Sequence, residues 1–258
     1  MTSVKHPKSI YITILLLVFL IFTGCSGKTL FEEQDKTEQT PAATETQNQL
    51  IYFDYEEIDI LISNSLDIDI RNNYIFLDDY NDLIINGELN NNSQENITDI
   101  EVTFDINDSQ GNILFSDRVP IGIRYMQVGK TYPFTFHYGE ESNYIKVDNV
   151  RIGVNYKRYN NIFLGNPLVR EQRYHYQGDM LVVEGNMINI GRKKIEDLMV
   201  LATFYDKRGR VLFIRECFIK ENSLPPMGEQ EYILEIDLRG KVKEFTHYDI
   251  EVFFNDAI

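Results

Sequence analysis

The sequence predicts an all-β protein built from two tandem β-sandwich domains. Three observations carry that expectation. From Ile51 onward, apolar and polar residues alternate in short runs, as in Ile58, Ile60 and Ile62 or Ile68 and Ile70. Gly and Asn clusters break these runs at strand-like intervals, and no segment keeps a helical period for three turns. The second half of the chain also repeats the first at a spacing of 98 residues.

The N-terminus has a different character. Lys5, His6 and Lys8 precede an apolar run, Ile10 to Phe22, of 13 residues broken only by Thr13. A membrane-spanning helix needs about 20 such residues, so the length fits the core of a secretory signal. Phe22-Thr23-Gly24-Cys25 follows. Small residues let a backbone enter a signal peptidase, and a cysteine just beyond them can take a diacylglyceryl group. This stretch resembles the bacterial lipobox, with Phe22 where Leu is usual. The resemblance implies cleavage after residue 24 and a lipid on Cys25. Two acyl chains hold a protein stably on a bilayer. The expected place is therefore the extracytoplasmic face of the cell membrane, with the lipid bilayer as a partner through Cys25.

Residues 25–50 are expected to form a flexible polar tether, since Ser26 to Gln49 carries almost no apolar side chain after Phe31. The formal charge is −15. Residues 1–24 hold two lysines and no acid, so the chain from Cys25 on carries −17. Such a body is repelled by nucleic acid. The sequence has two cysteines. With Cys25 given to lipid, Cys217 stands alone, and the fold must rest on its apolar core rather than on disulfides.

The repeat sets the domain plan. Leu83 to Phe115 aligns without a gap to Leu181 to Phe213, and ten of the thirty-three positions are identical, among them Gly87/Gly185, Asn91/Asn189, Asp108/Asp206 and Gly111/Gly209. Ile100, Val102, Phe104 and Ile106 keep the phase of Leu198, Val200, Ala202 and Phe204. A slip of one residue would turn every core side chain outward, so shared phase means shared register. Gly129-Lys130 matches Gly228-Glu229 as a turn. Each copy has the size of an immunoglobulin-like sandwich. The expected domains are residues 51–157 and 158–258, with the alternation interrupted near Tyr156 to Asn161.

Phe104-Asp105-Ile106-Asn107-Asp108 with Gly111, and Ala202-Thr203-Phe204-Tyr205-Asp206 with Gly209, resemble the FxLYD motif. Asn107 stands where that motif has Tyr, and Ala202 where it has Phe. The FxLYD resemblance implies a β-sandwich in an exported bacterial protein and no catalytic residues.

No enzyme signature appears. Asp105 to Gly111 looks like the start of a calcium loop, but Gln110 occupies the position that needs Gly and Ser116 the one that needs Glu. Asp78, Asp79 and Asp82 form a second acidic cluster, read as a solvated turn. His137, His175 and His247 have no second ligand at zinc spacing. Cys217 aligns with Val119 and reads as a buried small hydrophobe. No cofactor and no metal are expected.

Tyr156, Tyr159, Tyr174 and Tyr176, with Arg170 and Arg173, cluster near the expected boundary. Tyr and Arg are frequent binding hot spots, so these six are the candidate partner-binding residues, with packing between domains as the alternative. The function expected is non-catalytic binding or scaffolding for a protein or envelope polymer, helped by exposed sheet edges that can accept a partner's strand. Two other classes stay open: a ligand-binding lipoprotein of a transport system, and a hydrolase or binder of envelope glycans. The first would ordinarily use α/β lobes and a hinge, and a hydrolase needs two acids in a cleft.

Overall fold

The computed structural model describes residues 55–256, except 64, 79, 140–143, 145, 220 and 239–244. The expected signal peptide, Cys25 and the tether lie outside the described residues, as does Asp79.

The first repeat contributes β1 (Asp59–Ile62), β2 (Ile68–Leu77), β3 (Leu83–Asn91), β4 (Asn96–Asn107), β5 (Ile113–Pro120), β6 (Tyr125–Met126), β7 (Thr131–Tyr138) and β8 (Asn149–Tyr159). The second contributes β9 (Pro167–Gln177), β10 (Met180–Asn189), β11 (Ile195–Tyr205), β12 (Val211–Phe218), β13 (Ser223–Leu224), β14 (Glu229–Asp237) and β15 (His247–Asp256). Each repeat makes two sheets. They are β1-β8-β4-β5 over β2-β3-β7 in the first, and β15-β11-β12 over β9-β10-β14 in the second. Short strands β6 and β13 add to β4 and β11. The chain is an all-β double sandwich, as its alternation predicts.

The alternation explains each core. Val102, Phe104 and Ile106 of β4 meet Leu83 and Ile85 of β3 and Phe134 and Phe136 of β7, and the rings of Phe104 and Phe136 stack at 4.3 Å. In the second sandwich Val200, Ala202 and Phe204 meet Leu181, Val183, Leu234 and Ile236. Each of these side chains except Ala202 contributes roughly 1.5–3 kcal/mol when taken from water.

The repeat holds at the level of single bonds. Asn91 Nδ2 donates to the carbonyls of Glu95 and Met126 at 3.0 and 3.1 Å, and Asn189 Nδ2 to those of Lys193 and Leu224 at 2.8 and 3.0 Å. Asp108 Oδ1 accepts the N–H groups of Gln110 and Asn112, and Asp206 Oδ1 those of Arg208 and Arg210. The turns close on Gly111 at φ +80° and Gly209 at φ +77°, a region that favours glycine. The third expected turn differs. The counterpart of Gly129 (φ +74°) is Met227 (φ +61°), one residue before the Gly228 that the alignment matched to it.

The expected boundary after residue 157 moves. β8 runs on to Tyr159 because Asn96, Ile97 and Thr98 pair with Tyr159, Arg158 and Lys157. The polar end of β8 is held by Arg158 on Asp67 at 2.6 Å and Lys157 on Asp99 at 2.9 Å. Residues 160–166 join the sandwiches.

The two sandwiches are fused. Sheet β2-β3-β7 turns Ile84, Asn86 and Glu88 away from its own core, yet Asn86 is 2% and Glu88 1% exposed. They are covered by the outer face of the β15-β11-β12 sheet, where Met199, Leu201 and Phe253 pack into the first core cluster. Asn86 Nδ2 donates to the carbonyls of Val211 and Leu212 at 3.3 and 2.9 Å. The Tyr205 hydroxyl donates to Glu88 Oε1, and Asn72 Nδ2 to Glu88 Oε2 at 2.6 Å. Burial, and then the Glu88 carboxylate, drive the Tyr205 phenol far above its ordinary pKa. Lys130 Nζ pairs with Glu251 at 2.5 Å, and the Arg210 guanidinium lies 3.9 Å over the Tyr74 ring. Domains joined by small polar contacts move relative to one another by default, whereas an apolar, hydrogen-bonded interface like this one holds them as a unit.

Candidate functional site

Where the sandwiches meet beside residues 160–166, they leave a cleft of 510 Å³. One wall comes from the first repeat, through Gln94, Asn96, Gln127 and Tyr159; the other comes from the joining segment and Phe254 of β15. The sequence builds this wall locally. The β3–β4 and β6–β7 turns carry side-chain amides, and the last residue of β8 turns an aromatic ring outward.

The aromatic rings form a ladder. Tyr125 stacks on Tyr159 at 4.3 Å, Phe163 lies 5.6 Å from Tyr125, and Phe163 meets Phe254 edge-on at 5.7 Å. The Arg124 guanidinium sits 5.0 Å over Tyr125. A hydrogen bond to Tyr159 raises the Tyr125 phenol, while bonds from Asn161 and Tyr125 lower that of Tyr159. Some of the amides are already used. Asn96 Nδ2 donates to the Asn161 carbonyl at 2.6 Å, and Gln127 Nε2 to that of Phe254 at 3.4 Å. Gln127 Oε1 is different: it is buried and has no donor among the described residues. Leaving such an acceptor unpaired costs about 1–3 kcal/mol. The one carboxylate in the described lining is Glu95, 3.5 Å from Arg158.

The six residues expected to bind a partner do not share one groove. Tyr159 lines the junction cleft. The Tyr156 hydroxyl donates to Asp67 Oδ2 at 2.8 Å, and with Arg158 it holds the Asp67 carboxyl below the usual range. Arg170 pairs in register with Asn186 on the second sandwich. Arg173 meets Glu184 at 2.7 Å and lines a smaller cleft of 320 Å³ with Glu171, Glu231 and Tyr232. Tyr174 and Tyr176 lie together at the open side of the second sandwich, with Tyr174 edge-on to Tyr248 at 5.7 Å. Packing between the sandwiches falls instead to Tyr205 and Phe253.

The acidic loops are built as turns. Asp108 spends one carboxylate oxygen on backbone N–H groups and the other on Asn112 Nδ2, whose bonds hold its pKa low. Asp105 Oδ1 accepts from Ser116 Oγ at 2.7 Å. Asp78 Oδ1 accepts the N–H groups of Tyr80 and Asp82, both at 2.9 Å. Strand register brings His137 beside this second loop, so that ligand atoms of Asp78, Asp82 and His137 lie within 4.8 Å of one another. Sequence spacing gives no hint of that approach, since β7 lies some fifty residues downstream of the loop. Cys217 is half-buried against the second core, its Sγ donating to the Ile233 carbonyl at 3.6 Å, and burial pushes its thiol pKa up. That environment keeps the sulfur protonated and a poor nucleophile.

No family model matches the chain, and no curated protein sequence matches it. Among solved structures, red sea bream transglutaminase is similar over 75% of this chain and 29% of its own, at 8% identity and a TM-score of 0.24. The chain thus spans less than a third of that enzyme's length, and a likeness so slight implies nothing about activity.

Proposed function

We propose that this chain is a lipid-anchored surface protein with FxLYD-like repeats, and that its fused sandwiches act as a non-catalytic binding module for a protein or envelope polymer. The observation that carries this reading is the junction cleft. Its walls come from both repeats, and a buried interface holds those walls in fixed relation. Aromatic faces and amide groups suit the apolar and hydrogen-bonding surfaces of a polymer, and a preformed site avoids the cost of ordering on binding. Binding rather than hydrolysis is favoured by a described lining with one carboxylate, Glu95. A two-acid mechanism needs a pair. The anchor rests on Phe22-Thr23-Gly24-Cys25.

The test is a crosslinking capture from intact cells with three forms: the full chain, Cys25→Ala, and Tyr159→Ala with Phe163→Ala. We expect a partner on the full chain alone, with Cys25→Ala released from the membrane fraction. Unchanged capture by the Tyr159 and Phe163 variant would remove the cleft from the proposal. Membrane retention of Cys25→Ala would remove the anchor.

A further inference from the structure

The two repeats differ at one sheet edge. In the first sandwich β1 lies parallel to β8, Asp59 opposite Asn149 through Ile62 opposite Ile152. The Asp59 and Ser63 N–H groups donate to the carbonyls of Asp148 and Ile152, at 3.1 and 2.8 Å. Ile60 and Ile62 pack on the core, and beneath them Val150 and Ile152 are 0% exposed.

The second sandwich has no such strand among the described residues. At the repeat spacing, the counterpart of Asp59–Ile62 is Lys157 to Asn160, which carries no apolar alternation and is largely spent on the end of β8. The consequence is visible on β15. Tyr248 and Ile250, the counterparts of Val150 and Ile152, are only half-buried. Beside them Tyr174 is 48% exposed, its ring 5.7 Å from Tyr248 and 6.1 Å from Tyr176. The carbonyls of Thr246 and Ile250 stand where Asp148 and Ile152 receive β1.

We propose that the β15 edge over Thr246 to Ile250 is a docking site for an extended segment of a partner protein, bound parallel to β15 as an added strand. The first repeat supplies the template for that segment. It needs branched apolar side chains at alternate positions, to cover Tyr248 and Ile250 as Ile60 and Ile62 cover β8. Its intervening side chains fall beside His247 and the exposed Asp249 on the other face of β15, in a chain of net charge −15, so basic residues fit there. Main-chain bonds would supply affinity and the alternate side chains selectivity. A second copy of this chain is a poorer source, because its own β1 is already paired with β8. The edge lies toward the opposite end of β15 from Phe254 and the junction cleft, so the two sites stand or fall separately.

The test uses the full chain in mild detergent and a fluorescein-labelled Lys-Ile-Lys-Ile-Lys-Ile-Lys peptide. We expect saturable anisotropy and slowed amide hydrogen exchange confined to residues around Thr246 to Ile250. We also expect affinity to fall at least tenfold when alternate peptide amides are N-methylated, when the peptide is scrambled to lose alternation, and in Ile250→Lys. The exchange measurement on the unmodified chain guards against misfolding of the variant. Absence of binding, undiminished binding of the N-methylated peptide, protection elsewhere, or concentration-dependent self-association that protects the same residues would each overturn the proposal.

Discussion

Strands β4 and β11 hold the same place in the two repeats and face their cores alike. Ile100, Val102, Phe104 and Ile106 point inward from one; Leu198, Val200, Ala202 and Phe204 point inward from the other. Their outer faces differ. β4 leaves Glu101, Thr103 and Asp105 half-exposed, while β11 buries Met199, Leu201, Thr203 and Tyr205. β3 and β10 differ in the opposite sense, since β3 buries Asn86 and Glu88 on its outer face while Glu184 and Asn186 of β10 stay half-exposed. In a duplicated sandwich the inner face is tied to the fold, and the outer face is what the copies can vary. Here one outer face of each copy was given to the other, which left the remaining faces polar.

The sharpest way to break this comparison is to truncate the two outer faces in parallel. Leu201→Ala should lower unfolding free energy by about 3 kcal/mol, as for a buried leucine. Thr103→Ala at the matched position should cost less than about 0.5 kcal/mol. Equal losses in denaturant titrations would mean that the sandwiches are not fused through β11. Where the repeats agree, the effects should agree. Asn91→Ala and Asn189→Ala each remove a donor from two backbone carbonyls and should each cost about 1–3 kcal/mol, within error of one another.

The turn at Met227 offers a smaller test. A non-glycine residue at φ +61° is strained by its Cβ, so Met227→Gly should stabilise by about 0.5–1 kcal/mol, net of the chain entropy glycine adds. Gly129→Met should lose a similar amount, and thermal denaturation would register both. The smallest effect concerns acid. Burial raises the Asp206 carboxyl, but N–H donors from Arg210 and Arg208 and the Arg210 guanidinium outweigh it and hold the pKa below 3.8. A depressed folded pKa gives stability that is complete above the unfolded value and lost as pH falls through the folded one. The stability gap between the unmodified chain and Asp206→Asn should therefore be widest above pH 4 and shrink below it. A gap that widens in acid would contradict the bonding seen at this turn.

Much of the fold is readable from alternation. The inner faces of β4 and β11, the turns at Gly111 and Gly209 and the duplication all follow from residue phase. The fusion was written in the sequence too, but in a form that inner-face phase conceals. Met199 to Tyr205 is a nearly continuous apolar run, the mark of a strand buried on both sides. Reading only its even phase discards that signal. Asn86 and Glu88 give no such warning, because burial of a polar side chain depends on partners such as Tyr205, more than a hundred residues away. The candidate site was less legible. Of the six expected residues only Tyr159 reaches the junction cleft, since β9 carries the rest of the second-sandwich set to its other edges. Gln127, Phe163 and Phe254 meet in the cleft only because the repeats pack on each other, which local sequence does not encode.

The parallel pairing of β1 with β8 also bears on how the body resists load. A ligand at the proposed cleft site would pull near the C-terminal end of β8, and tension from the proposed anchor would act on the N-terminal end of β1. Because the strands run the same way, these forces act in opposite directions along the ladder. The bonds from Asp59 to Ser63 must then slide past β8 together rather than open one by one, so tension across the first sandwich meets them in shear.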